Sequence, residues 1–254
     1  MFSDLLPAAI SPLSALVLIL SSFAASALTA AVGLGGGVAL IAVMANLMPP
    51  LALVPVHGLV QLGSNGGRAI VQRRYIDPAI AAWFAGGAIV GAALGGYLAV
   101  SIPAAWLRIG IAGFVLWTVW GRVPKLGHAR KQAMGIAGFI GTSLSMFFGA
   151  TGPIGGSVLS TLGLTRHQFV ANQAVTSLTM HVCKVAAFGF LGFAFGPWIG
   201  LIVLMITSGF LGTLAGTRML GRMQEETFRK GFKLVMTLLA ANLIWQALPG
   251  LSGS

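Results

Sequence analysis

His57, Gln61, Asn65 and Arg68 follow one another at spacings of four, four and three residues inside an apolar stretch. At 3.6 residues per turn, that spacing sets all four on one helix face. The same spacing returns 116 residues later in Gln173, Ser177, His181 and Lys184. Amides and a hydroxyl offer hydrogen-bond donors, a guanidinium and an ammonium add positive charge, and imidazole titrates near neutral pH. Such groups suit the recognition of a small anion and the handling of a proton. The competing reading is packing: amides bonded between helices, histidines satisfied in the interior, and Arg68 and Lys184 snorkelling to opposite surfaces.

The elements that must position these residues are apolar helices. Of 254 residues, 57% are hydrophobic and 7% charged, far from the quarter charged that is usual in soluble domains. Apolar segments recur at 11–32, 78–101, 103–120, 134–150, 197–217 and 231–248, most of them near the roughly 20 residues a membrane span needs. No strand-like alternation appears, which excludes a β-barrel. The expectation is an all-α polytopic integral membrane protein. The net charge of +11 lies mostly in short loops beside spans, so topology explains it and no nucleic-acid partner is expected. One cysteine, Cys183, forbids an intrachain disulfide. The start "MFSDLL" lacks a basic n-region, so 11–32 reads as a retained first span.

The second half repeats the first. "GAALGGYLA" (91–99) matches "GTLAGTRML" (212–220) at an offset of 121, and "GLGGG" (33–37) corresponds to "GPIGG" (152–156). Five segments precede a basic linker: 11–32, 35–47, 51–72, 78–101 and 103–120. Five follow it: 134–150, 153–163, 167–192, 197–220 and 226–248. An odd number per repeat predicts two inverted repeats. The domain reading is an N-terminal membrane repeat at 1–120, a basic cytoplasmic linker at 121–133 and a C-terminal inverted repeat at 134–254. With both termini outside, every Lys and Arg except Arg108 and Lys184 falls inside or near the inner surface, as the positive-inside rule asks. The segments 35–47 and 153–163 are too short to span upright. They read as re-entrant half-helices, leaving about eight spanning helices. Interrupted segments at matching places in two halves point to a transporter's binding site.

Charge signs set the ligand class. The acidic residues are Asp4, Asp77, Glu225 and Glu226, all in termini or loops. No carboxylate within a span can neutralise Arg68, Arg166 or Lys184, so a cavity lined by them takes an anion from solution. Gly35, Gly36 and Gly37, with Gly155 and Gly156, open the half-helices and offer backbone N–H groups at positive dipole ends. Arg166 is either an inner-surface arginine or an anion clamp, with Asn172 and Gln173 one turn further in. Gly91, Gly95, Gly212 and Gly216 read as close helix packing. His57, His128, His167 and His181 show no metal spacing within one helix, and no Walker sequence or acid-oriented serine nucleophile occurs. Neither a cofactor nor enzymatic activity is expected. Trp106, Trp117 and Trp120 are candidates for an aromatic belt or a homodimer interface.

The chain resembles the sulfite exporter TauE/SafE family of bacterial transporters. The resemblance rests on "AAVGLGGGVALIAVMANLMPPLALVPVHGLVQLGSN", on "RRYIDP", and on "FGATGPIGGSVLSTLGLTRHQFVANQAVTSL". It covers nearly the whole chain, which departs from the commoner pattern at His57 and Gly58. The resemblance implies export of a small oxyanion, sulfite or an organosulfonate, across the bacterial cytoplasmic membrane, with relatives that move other small organic anions; the inverted repeats point to secondary transport by alternating access. His57 and His181 are candidates to couple protons, because imidazole titrates near physiological pH. The rivals are an uncoupled anion channel of the same architecture and a non-transporting membrane scaffold.

Overall fold

A computed structural model describes residues 6–32, 35–99, 102–121, 130–219 and 225–251, without the side chains of 31–32, 217–219 and 225–230. Most of the basic linker, with Arg122, Lys125 and His128, lies outside the described residues, as do Gly33 and Arg222.

Ten α-helices and no strand occur among the described residues. They are α1 (Pro12–Val32), α2 (Gly36–Leu47), α3 (Pro50–Val71), α4 (Pro78–Ala99), α5 (Ala104–Trp120), α6 (Ala133–Phe148), α7 (Gly152–Leu159), α8 (Arg166–Phe190), α9 (Ile199–Met219) and α10 (Glu225–Leu251). Four described segments, Pro12–Ala30, Pro78–Ala99, Gly196–Gly216 and Gly231–Leu251, are long and apolar enough to cross a membrane. The fold is that of an all-helical, multi-pass membrane protein.

Local chemistry explains the boundaries. Proline opens α1, α3 and α4, where its missing N–H costs nothing. Glycine in the left-handed region closes α6 at Gly149 (φ 77°) and precedes α2 at Gly35 (φ 99°). Thr165 starts α8 with a capping box: its hydroxyl accepts from the Gln168 N–H, and the Gln168 side chain accepts from the Thr165 N–H. α7 stops at Leu159, earlier than the expected 163, because residues 160–163 tighten into a turn that ends at left-handed Gly163 (φ 68°).

Helix starts keep two constant offsets. α2 and α7 begin at 36 and 152, α3 and α8 at 50 and 166, both 116 apart. α1 and α6 begin at 12 and 133, α4 and α9 at 78 and 199, α5 and α10 at 104 and 225, all 121 apart.

Glycines set how these helices meet. A Cβ on Gly87, Gly91 or Gly95 of α4 would lie 1.9, 2.4 or 2.7 Å from the carbonyl oxygens of Gly135, Phe139 and Ser143 of α6. The order is the same along both helices, so α4 and α6 run parallel. Gly212 and Gly216 of α9 sit likewise on the carbonyls of Phe23 and Ala27 of α1, at 2.1 and 2.3 Å. Small residues draw the backbones this close where no hydrophobic force separates helix from lipid. Hydroxyls bridge the same seams: Ser143 donates to the Gly91 carbonyl at 3.1 Å and Ser208 to the Ile19 carbonyl at 2.7 Å. In contrast, α3 and α8 meet through Gly58 against Lys184 and Gly66 against Leu178. The order is reversed, so these two helices run antiparallel. Outside the core, Leu13, Leu20, Leu98, Phe190 and Trp245 are exposed, as an apolar solvent requires.

Candidate functional site

The first turns of α2 and α7 converge on the middle of α3 and α8 and leave a cavity of about 50 Å³. α3 contributes Gln61, Asn65 and Arg68, and α8 contributes Gln173, Ser177 and His181. The half-helix ends supply Gly35, Gly37, Gly152 and Pro153, with Thr29 of α1 beside them. Three residues of each polar stripe therefore face one void. Space of this size holds a few water-sized groups.

Glycine makes the first half-helix fit. A Cβ on Gly36 would lie 1.9 Å from the Ala25 carbonyl oxygen, so α2 begins flush against α1. A Cβ on Gly37 would meet the Gln61 Nε2 at 2.5 Å, so the Gln61 amide fills the place a side chain would take. His57 is buried behind this wall and donates through Nε2 to the Gly37 carbonyl at 3.1 Å. Its ring lies 5.8 Å from that of His181, edge to face.

The remaining bonds tie these side chains to one another and to the backbone. Asn65 gives its amide to the Gln61 carbonyl at 2.8 Å and accepts from Arg68 Nη2 at 2.7 Å. Arg68 Nε has no partner. Gln173 donates through Nε2 to the Gly152 carbonyl and to Ser177 Oγ, at 3.3 and 3.2 Å. Gln173 Oε1 and His181 Nδ1 are buried without partners. Buried polar atoms are normally satisfied; these exceptions come from both α3 and α8 and belong to side chains that border the cavity. Among the described residues one ion pair forms, Lys131 with Asp77, away from the cavity. That bond holds the Asp77 carboxyl below the usual carboxylate range. No group of three or more His, Cys, Asp or Glu side chains that could hold a metal gathers among the described residues.

Several expected site residues lie elsewhere. Gly155 and Gly156 are buried one turn inside α7, Gly155 against Phe84, because α7 opens at Gly152. The second half-helix thus aligns with the first at an offset of 116, and Gly152 takes the place given to them. Asn172 is fully buried but bonds the Asp77 N–H at 3.0 Å and the Tyr75 carbonyl at 3.3 Å, tying α8 to the turn before α4. Lys184 neither lines the cavity nor snorkels. It is fully buried against Gly58, and its ammonium donates to the Gly149 carbonyl. Arg166 is exposed at the start of α8, and His167 beside it stacks on Tyr75 at 5.1 Å. Thr29, Val38, Ala150, Pro153 and Met180 line the cavity without having been expected. Applying the 116-residue offset to Gly37 would have found Pro153.

Against known proteins, the family model described as "Sulfite exporter TauE/SafE" matches residues 18–243. No curated protein and no solved structure matches the chain.

Proposed function

The chain belongs to the sulfite exporter TauE/SafE family, and from that premise we propose that it exports a small sulfur-containing anion, sulfite or an organosulfonate, by alternating access. The observation that carries this reading is the shared void: donors from two antiparallel, 116-offset stripes line one cavity that holds a guanidinium and no carboxylate. Gln61 and Ser177 donate hydrogen bonds to the anion's oxygens. Arg68, held by Asn65, supplies the positive charge, and the first turns of α2 and α7 add their dipoles. Arg68 is half-buried in the last turn of α3 with no carboxylate on the cavity lining, and an arriving oxyanion supplies the missing counter-charge.

Two inverted repeats account for the geometry. α3 runs antiparallel to its counterpart α8, which supports the reversal, and the parallel pair α4 and α6 has its counterpart in α9 and α1. On this reading both termini are outside and the protein sits in the bacterial cytoplasmic membrane. His57 and His181, in ring contact, carry a coupling proton.

Thermal unfolding of purified protein across sulfite, alkanesulfonates, sulfate and chloride tests the binding step. Sulfite or a sulfonate raises the midpoint in a saturable way, and Arg68→Gln removes the shift. Equal midpoints in all four anions would discard the reading.

A further inference from the structure

A second cavity, about 760 Å³, lies beside the first among α1, α3, α8 and α9. Its volume falls within the roughly 300–1,000 Å³ of small-molecule sites. Arg68 and Thr29 belong to both cavities, and Arg166 lines only the larger one. No carboxylate lines it.

The walls divide by chemistry. One end carries Arg68, Gln72 and Arg166, from the end of α3 and the start of α8. Phe169, Val170, Ile206 and Phe210 form an apolar flank between α8 and α9. Val71 and Phe210 on the lining are 78% and 57% exposed, so the mouth opens on the apolar outside of the bundle. In a bilayer that outside is hydrocarbon. Water standing against this flank would be unfavourable by about 25 cal/mol per Å² of apolar surface. An inorganic anion would use the arginines and leave the flank bare. A chain with an anionic head satisfies both.

We propose that this cavity seats an acyl chain of an anionic phospholipid, with the phosphate against Arg166 and Arg68. The occupant comes from the bilayer, because the mouth is apolar and Arg166 is exposed at the helix start where headgroups lie. The proposal needs the protein to be in a membrane but not to transport, so it fails separately from the transport reading.

Gly67 gives a clean test, since it lines the cavity and no atom lies within 4 Å of where its Cβ would be. The full chain, stripped of lipid in detergent, is offered phosphatidylglycerol or phosphatidylcholine with identical acyl chains. Retained lipid is read by native mass spectrometry. One arginine near a headgroup is worth about 1 kcal/mol, so Arg166 and Arg68 each favour phosphatidylglycerol about five-fold. Arg166→Gln lowers the preference about five-fold, and Gly67→Phe lowers retention of both lipids. Gly113→Phe, on exposed surface with no atom within 4 Å of its Cβ site, changes neither. Equal retention of the two lipids by the wild type would overturn the proposal. So would full retention by a Gly67→Phe protein that melts like the wild type. Binding of decanesulfonate that Gly67→Phe abolishes, with phosphatidylglycerol retention unaffected, would overturn it too and assign the cavity to a soluble amphipathic anion.

Discussion

His57 and His181, from opposite halves of the chain, meet edge to face with ring centroids 5.8 Å apart. Each keeps a buried Nδ1 without a hydrogen-bond partner, and His57 is tied through Nε2 to the carbonyl of Gly37. His181 also lines the polar cavity. The pair therefore links the cavity wall to the first turn of α2, where a change of protonation would be felt by the half-helix.

His181→Gln should separate coupling from exchange. In proteoliposomes, uphill anion movement driven by a pH gradient is lost, while counterflow between equal anion pools continues. Gradient-driven accumulation at the wild-type level would remove the proton from this pair.

Lys184 fills space as well as carrying charge. Lys184→Ala empties a fully buried site, and large-to-small changes of this kind cost about 2–5 kcal/mol. Lys184→Met keeps the volume and loses one bond from the ammonium to the Gly149 carbonyl, worth about 1.5–3 kcal/mol, which Lys184→Ala loses as well. The alanine protein should melt well below the methionine protein. Equal midpoints for the two variants, both well below the wild type, would mean that the ammonium, not its volume, holds α8 to the turn before α7.

Gly91 and Gly113 should behave oppositely. Gly91→Val drives side-chain atoms into the Phe139 carbonyl, whereas Gly113→Ala enters open space. Overpacking by about 1–3 kcal/mol corresponds to a midpoint lower by roughly 2–10 °C for Gly91→Val. Gly113→Ala leaves it unchanged. Thermal melts in one detergent decide this.

Asp77 sets an acid limit. Its carboxyl accepts from Lys131 and from the N–H groups of Ala79 and Ile80, which holds it below its ordinary value of about 3.9. Its contribution is complete above that value and is lost as pH falls through the lowered one. The wild-type melting midpoint therefore declines more steeply than that of Asp77→Asn below about pH 4. Parallel curves for the two proteins would show that the bond adds nothing.

Much of this arrangement was legible in the sequence because membrane helices are punctuated strongly. Proline and glycine marked nearly every boundary to within two or three residues, and the 4, 4, 3 spacing marked a shared face. Depth and partner were harder to read. Lys184 looked free to snorkel, since nothing in its own helix shows that Gly58 on α3 leaves room for its stem. Asn172 has the chemistry of a ligand group, but the turn at Tyr75–Asp77 claims it, and that turn lies nearly 100 residues away. Gly155 and Gly156 were misplaced because a glycine-rich run matches itself at several offsets. The offset of the polar stripe, which has fewer ways to align, locates Gly152.

Labelled sulfite counterflow in proteoliposomes tests the shared anion cavity most directly. Gln61→Leu and Ser177→Leu each remove a donor from opposite walls. A hydrogen bond to a charged group is worth about 1.5–3 kcal/mol, so each variant should slow flux roughly ten-fold or more, with the melting midpoint unchanged. Wild-type flux in both variants would contradict the account.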